Sequence, residues 1–448
     1  MAKSLERNSE KPLYEQIYEQ IRGDILSGRI AEGKKLPSKR ALAEQLQVSV
    51  ITVENAYSQL IAEGYVRAAQ RSGYFAAYSG EAIEKPKVKP RKLPNNVKKG
   101  EAELPPSAGE DIFPFSVWTR LMRSVILEKG TRLLQPVDNG GAYELREAIS
   151  GYLYRVRGFY TPPENIIVGS GTEYLYNLLI QLLGRDKVFG VEDPGFPKLA
   201  KIYALNNARF EYIPLDSSGM RVDELFKRRV DIAHISPAHH FPTGIVMPIS
   251  RRREILNWAE NGGRYIVEDD YDSEFRRSGK PVPTIFGSDD FSRVIYINTF
   301  SQTIAPSVRI SYMCLSDELR ERWRKKLGFY ACSVPAFEQY TLARFISEGY
   351  FERHINRAKK RFRRICELSE RLISSFGSVK ISEENAGLHF TVKLAENVPE
   401  LVQKSAECGI KVTPLSSYYA SCSTCERDLF LVNYAGADEE RLAELLRT

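Results

Sequence analysis

Thr299-Phe300-Ser301-Gln302-Thr303, running on to Ser307-Val308-Arg309, gathers hydroxyl donors and a guanidinium just past the apolar run Val294-Ile295-Tyr296-Ile297. Serine and threonine donate neutral hydrogen bonds and arginine a bidentate one, so a buried strand with this exit could hold a phosphate. Tyr265-Ile266-Val267 empties into Glu268-Asp269-Asp270-Tyr271, a second strand ending in carboxylates and a phenol. Two adjacent strands with polar ends make a ligand crevice at the carboxyl edge of an α/β sheet. Ile166-Ile167-Val168 ends in Gly169-Ser170-Gly171-Thr172-Glu173 before the apolar helix Leu175 to Leu183. A glycine-rich turn at a helix N-terminus offers free N–H groups and the positive end of a dipole to a phosphate, a second wall for the same cup.

Pro242-Thr243-Gly244, Glu268 through Phe275, Thr299-Phe300-Ser301 and Arg309 together resemble the signature series of fold-type I aminotransferases. In that family the residue after the serine is the lysine that carries pyridoxal phosphate as a Schiff base. Here it is Gln302, and no lysine lies between Lys280 and Lys325. A lysine amine condenses with an aldehyde and later shuttles protons at the substrate carbon; a carboxamide nitrogen is neither nucleophilic nor basic at neutral pH. No internal aldimine forms at Gln302, so there is no catalytic residue and pyridoxal phosphate is expected to be held non-covalently at best.

The resemblance implies a cofactor-binding set of Gly171, Thr172, Phe196, His239, Asp269, Tyr271, Thr299, Ser301, Gln302 and Arg309. Phe196, in Glu192-Asp193-Pro194-Gly195-Phe196-Pro197-Lys198, would stack on the pyridine ring and Asp269 would pair with its protonated nitrogen. Tyr271 would bond the ring oxygen, with His239 near it, and Glu268 and Asp270 would flank. Lys198 and Arg427 stand where relatives bind an effector, Arg427 at a loose offset before Leu429-Phe430-Leu431-Val432. His239 and His240 invite a metal, but consecutive side chains diverge and no carboxylate is spaced to help, so no metal site is expected.

The elements that position these residues alternate between strand and helix patterns from Pro105 onward, as a doubly wound sheet demands. Phe113-Pro114, Trp118, Arg120, Gly140-Gly141 and Leu145-Arg146 resemble the opening segment of the MocR group, regulators that fuse a GntR-type head to an aminotransferase-like body. Pro335 to Gln339, the basic Gly349 to Arg357 helix and Ala386-Gly387-Leu388-His389 resemble that body's small C-terminal α+β subdomain, about 330–448. The basic helix reads as a solvated face.

Ahead of it, Leu13, Tyr14, Ile17, Ile21 and Ile25 fall at helical spacing. Ser38 caps a second helix with Leu42 and Leu46 inward, and Ser49 caps a third that buries Val53, Ala56, Tyr57 and Leu60 before Gly64. Two capped helices joined by a short turn form a helix-turn-helix whose second helix enters the major groove by its N-terminal end. Tyr65-Val66-Arg67 and Tyr74-Phe75-Ala76 flank a turn with a basic tip, a hairpin wing. The block Pro12 to Ala76 resembles the GntR-type winged helix at Leu36-Pro37-Ser38, Leu42-Ala43, Thr52-Val53, Ala56-Tyr57, Leu60 and Glu63-Gly64-Tyr65. That likeness implies phosphate contacts from Lys39 and Arg40, groove-facing Ser49 and Thr52, and Arg71 at the minor groove or backbone. Val50 replaces the usual basic residue, so base preference leans on apolar contact with a thymine methyl.

The expected division is residues 1–79 for the winged helix, 80–104 for a Pro- and Lys-rich tether and 105–448 for the effector-binding body. Pro86, Pro90 and Pro94 among like charges block helix and sheet and favour extension. At 448 residues with 43% hydrophobic and 27% charged residues the chain is globular, and a net charge of +7 permits a nucleic-acid partner without requiring one. No apolar run reaches the length of a membrane span and the first residues lack a signal-peptide core, so the expected location is the cytoplasm. Six scattered cysteines suit a reducing compartment, and Cys422-Ser423-Thr424-Cys425 has no second pair and reads as a surface loop.

The expected function is a DNA-binding regulator, a homodimer on a double-stranded operator, that senses a pyridoxal-phosphate-linked, vitamin-derived or amino-acid-like effector. A true aminotransferase with an appended DNA-binding head is the alternative, and Gln302 opposes it.

Overall fold

The computed structural model describes residues 11–78, 112–277, 282–289, 292–377, 379–382, 387–394, 398–421 and 428–447. They fall into two compact units, one within 1–100 and one within 101–448. Arg427, the tether and the Cys422–Cys425 pair lie outside the described residues.

In the first unit, α1 (Leu13–Leu26), α2 (Lys39–Leu46) and α3 (Val50–Ala62) pack around Ile17, Leu42, Val53, Ala56, Tyr57 and Leu60. The periodicity placed α1's face a little off. Tyr18 is buried with Ile17 and Ile25, and its hydroxyl donates to Glu63 Oε2 at 2.5 Å. Both expected caps form, Ser38 Oγ accepting from Ala41 N at 3.2 Å and Ser49 Oγ from Thr52 N at 3.1 Å. Gln47 ends α2 in the left-handed region at φ 54°, and this reversal makes the turn of the helix-turn-helix. β2 (Val66–Ala69) and β3 (Gly73–Ala76) pair antiparallel as the wing, and β1 (Lys35–Leu36) adds to β3's other edge.

The second unit opens with α4 (Phe115–Lys129) and α5 (Tyr143–Arg157) and is built on eight strands. These are β4 (Ile166–Gly169), β5 (Val188–Asp193), β6 (Arg209–Asp216), β7 (Gly219–Met220), β8 (Ile232–Ile235), β9 (Tyr265–Asp270), β10 (Val294–Thr299) and β11 (Ser311–Cys314), in the order β4-β11-β10-β9-β8-β5-β6-β7. β6 to β10 run parallel through β5, β8 and β9, and β11 is antiparallel to both β10 and β4. Apolar clusters cover both faces, which is why β10 reads as an almost unbroken apolar run: every one of its residues is buried. A four-stranded antiparallel sheet, β12 (Lys380–Ser382), β13 (His389–Lys393), β14 (Lys411–Pro414) and β15 (Leu429–Asn433), ordered β12-β13-β15-β14, forms the small subdomain against the Tyr350–Ser374 helix.

Strand alternation sorts the acidic cluster of β9. Glu268 and Asp270 share the face away from the crevice. Glu268 accepts from the backbone N–H of Ile285 at 2.9 Å and Phe286 at 2.8 Å, and Asp270 Oδ2 from Arg157 Nη2 at 2.5 Å and the Tyr296 hydroxyl at 2.7 Å. Arg157 and Asp270 are each 1% exposed in their side chains, so the pair is fully desolvated. Arg157→Met should strand that carboxylate and cost about 3–5 kcal/mol in a denaturant titration. A loss near zero would show that the carboxylate has another counter-charge.

Candidate functional site

Six strands, β4, β5, β6, β8, β9 and β10, end on one side of the sheet, and the exits of all but β6 meet the small subdomain around a cleft of about 620 Å³. Thr172 and Glu173 open α6 (Thr172–Leu183) after β4; Phe196 and Lys198 follow β5, Lys198 on α7 (Pro197–Leu205). Asp269 and Tyr271 come from β9, and Thr299, Ser301 and Gln302 from β10 and the helical turn behind it; Arg309 completes the wall. Nine of the sequence-derived cofactor or effector residues thus line one space.

The polar atoms on this lining differ in how far the protein satisfies them. Thr299 Oγ1 accepts from Ser301 N at 3.1 Å and from the Ser311 hydroxyl at 2.8 Å, so it shapes the turn. Ser301 Oγ is buried with no partner among the described residues. Asp269 Oδ2 accepts a short hydrogen bond from Tyr176 and lies 3.6 Å from His234 Nε2, while Asp269 Oδ1 is buried without a partner among the described residues. The Tyr203 hydroxyl braces His234 Nδ1 at 2.8 Å. Burial and the Asp269 charge hold the Tyr176 phenol well above its ordinary pKa, so it stays a donor. Sequence reading missed Tyr176 and His234; Tyr176, one helical turn past Thr172, was within reach of the i, i+4 rule.

Arg309 sits in the left-handed region at φ 48°, a strained backbone for a side chain of its size, of the kind concentrated at binding sites. Gly171, at φ 93°, does not line the cleft; a Cβ there would strike the Arg309 guanidinium, so its lack of a side chain makes room for that group. Arg309 Nη2 donates to Glu173 Oε2 at 2.8 Å, and Lys198 Nζ donates to Glu173 Oε1 at 3.2 Å.

His239 sits behind the cleft rather than on its lining, which Phe241 joins. The loop after β8 turns His239 inward, where its Nδ1 lies 2.9 Å from Asp272 Oδ2 and 3.5 Å from the Tyr271 hydroxyl, and its ring stacks on His389 at 4.2 Å. Asp272 also supplies the carboxylate that sequence spacing denied the histidine pair. His239, Asp272 and His389 each bring a ligand-type atom within 4.8 Å of the others. His240 diverges as expected, to Thr243 Oγ1 at 2.7 Å. Burial pushes His239 and His389 down to about 3 and Asp272 up to about 8. Both imidazoles are therefore neutral at neutral pH, a hydrogen-bonded support beneath Tyr271.

On the winged helix, Lys39 Nζ is paired with Glu54 at 2.5 Å and Ser49 Oγ lies 2.7 Å from Thr52 Oγ1 as well as capping α3. Arg40 and Arg71 are exposed, Arg71 at φ 60° in the wing turn. Val50 and Ile51 stand 41% and 69% exposed at the start of α3, beside the exposed Ser49. No helix among the described residues is long and apolar enough to cross a membrane.

A winged helix joined to an aminotransferase-like α/β body with a small subdomain defines a class of DNA-binding regulator. Comparison bears this out. The family described as "Bacterial regulatory proteins, gntR family" matches residues 13–75. The uncharacterized HTH-type transcriptional regulator YdeL of Bacillus subtilis is 37% identical over 93% of this chain and 91% of its own. The HTH-type pyridoxine biosynthesis transcriptional regulator PdxR of Corynebacterium glutamicum is 28% identical over 96% and 94%. The crystal structure of Pyrococcus horikoshii kynurenine aminotransferase in complex with PMP superposes with a TM-score of 0.65, at 24% identity over 76% of this chain and 87% of that one, which shows the body's fold. The chain belongs to the MocR group of HTH-type transcriptional regulators.

Proposed function

We propose that the body's cleft is a non-covalent receptor for a phosphorylated pyridoxyl compound or its amino-acid adduct, and that ligand binding changes how the winged helices engage an operator. The observation that carries this reading is the pair of buried, unpartnered acceptor and donor atoms on the lining, Asp269 Oδ1 and Ser301 Oγ. They fit the two ends of such a ligand: Asp269 the protonated ring nitrogen, Ser301 with Thr172, Arg309 and the start of α6 the phosphate. Phe196 offers a ring face, and Tyr271, braced by His239, a phenol for the ring oxygen. When bound, pyridoxal phosphate supplies an electrophilic carbonyl and an electron-accepting ring. Gln302, exposed into the cleft, offers no amine to meet that carbonyl and no base to move a proton. Receptor rather than enzyme is the function these residues support.

DNA contacts are assigned to Lys39, Arg40, Ser49, Val50, Thr52 and Arg71, with residues 80–104 as tether and Lys198 and Arg427 as effector contacts. Exposed Phe115, Leu127, Leu134 and Phe329 on the body support a homodimer that covers them. A ligand shifts such a regulator only by binding two arrangements unequally. Mobility-shift titration of DNA upstream of its own and neighbouring genes, with and without pyridoxamine phosphate, tests this. The expected result is a complex that survives random competitor and changes affinity with the ligand. No duplex preference together with turnover of amino donors would sink it.

A further inference from the structure

Glu173 puts a carboxylate where the receptor reading requires the ligand's own anion. It stands in the first turn of α6 and lines the cleft, accepting from Arg309 Nη2 at 2.8 Å and from Lys198 Nζ at 3.2 Å. Arg309 is the guanidinium of the phosphate wall. The carboxylate thus takes the charge-pairing capacity of the cup and leaves its neutral parts open, Ser301 Oγ and the N–H groups after Gly171, which gives α6 no side-chain cap.

We propose that Glu173 is an internal competitor for the phosphate end of the ligand, setting its affinity and the cleft's preference between phosphorylated and unphosphorylated pyridoxyl amines. This rests on the receptor reading above. The Glu173 and Arg309 side chains are 40% and 47% exposed, so the ion pair is weakly held and a phosphate displaces it. The displaced carboxylate remains on the same helical turn, and its charge opposes the incoming dianion. Gln302 removes the covalent advantage an aldehyde would have, and Glu173 removes part of the advantage a phosphate would have. The cleft is left as a reversible receptor of modest affinity.

Isothermal titration of the full chain with pyridoxamine phosphate and with pyridoxamine separates the contributions. Glu173→Gln keeps the shape, deletes the charge and leaves one acceptor oxygen in place of two. It should tighten pyridoxamine phosphate by about tenfold, 1.4 kcal/mol, and leave pyridoxamine within roughly twofold. Unchanged or weaker binding of pyridoxamine phosphate, or equal tightening of both compounds, overturns the competitor role while the receptor reading stands. Asp269→Asn tests that reading separately, since Asp269 is assigned to the ring: it should weaken both compounds alike, and if it weakens neither, reading and competitor fall together. They also fall if neither the unaltered chain nor Glu173→Gln binds either compound. A ligand-free melting point within about 2 °C of the unaltered chain shows that the Gln variant is folded.

Discussion

Gln302→Lys should turn a chain that releases pyridoxal phosphate on dialysis into one that keeps it, with about one pyridoxyl group per chain fixed by borohydride and visible by mass after denaturation. The unaltered chain should show none. The expected change is large because a covalent bond is gained rather than a contact adjusted, and the structure is permissive for it. Residue 302 lies in the third position of the helical turn Phe300–Thr303, exposed into the cleft, and carries no hydrogen bond that the turn depends on. The turn itself is held by Thr299 and Ser311 and does not involve the side chain at 302. A longer amine there needs no backbone shift and faces the same space as Asp269 and Tyr271. A fixable adduct in the unaltered chain, or none in the lysine variant, would mean that position 302 is not where the lysine of aminotransferases stands. The two failures are distinct: the first points to another amine in the cleft, of which Lys198 and Lys201 are present.

Tyr57→Ala should weaken DNA binding and leave ligand binding untouched. Tyr57 is 1% exposed at the centre of the winged helix, its ring edge-on to Tyr74 at 4.7 Å and its hydroxyl donating to Pro37 O at 2.9 Å. Truncating a buried aromatic costs about 3–5 kcal/mol. At the low end of roughly 0.05–0.15 kcal/mol per residue a unit this small has about 3 kcal/mol to lose, so a large part of the winged helix should unfold. DNA affinity should fall by up to about tenfold, since the unfolded fraction cannot dock. The body has its own apolar clusters, so pyridoxamine phosphate binding should not move. A parallel loss of ligand binding would show that the two units fold as one. Unaltered DNA affinity would show that Tyr57 is not the keystone its burial suggests.

Much of the winged helix was legible because its signals are local. A cap and the N–H that donates to it are three residues apart, and the buried face of α3 repeats every three or four residues, so Ser38, Ser49, Val53, Ala56, Tyr57 and Leu60 fell where their spacing put them. α1 was less accurate because Tyr18 is chosen by Glu63, forty-five residues away. The body's cleft was legible as a set of strand exits, and most of the expected lining residues meet there. Side-chain direction in loops was not legible: Phe241 lines the cleft and His239 sits behind it, because a loop, unlike a strand, has no fixed alternation.

The sequence by itself determined that no amine stands at position 302, and covalent chemistry follows composition whatever the fold. It also determined the helix caps and the two-sided burial of β10, because these depend on neighbours along the chain. Tertiary structure alone decided that Asp272 reaches His239 and that Glu173 occupies Arg309. Those contacts join residues 33 to 136 positions apart. Their partners are selected by how helices and strands pack against one sheet, and that selection is invisible in local spacing.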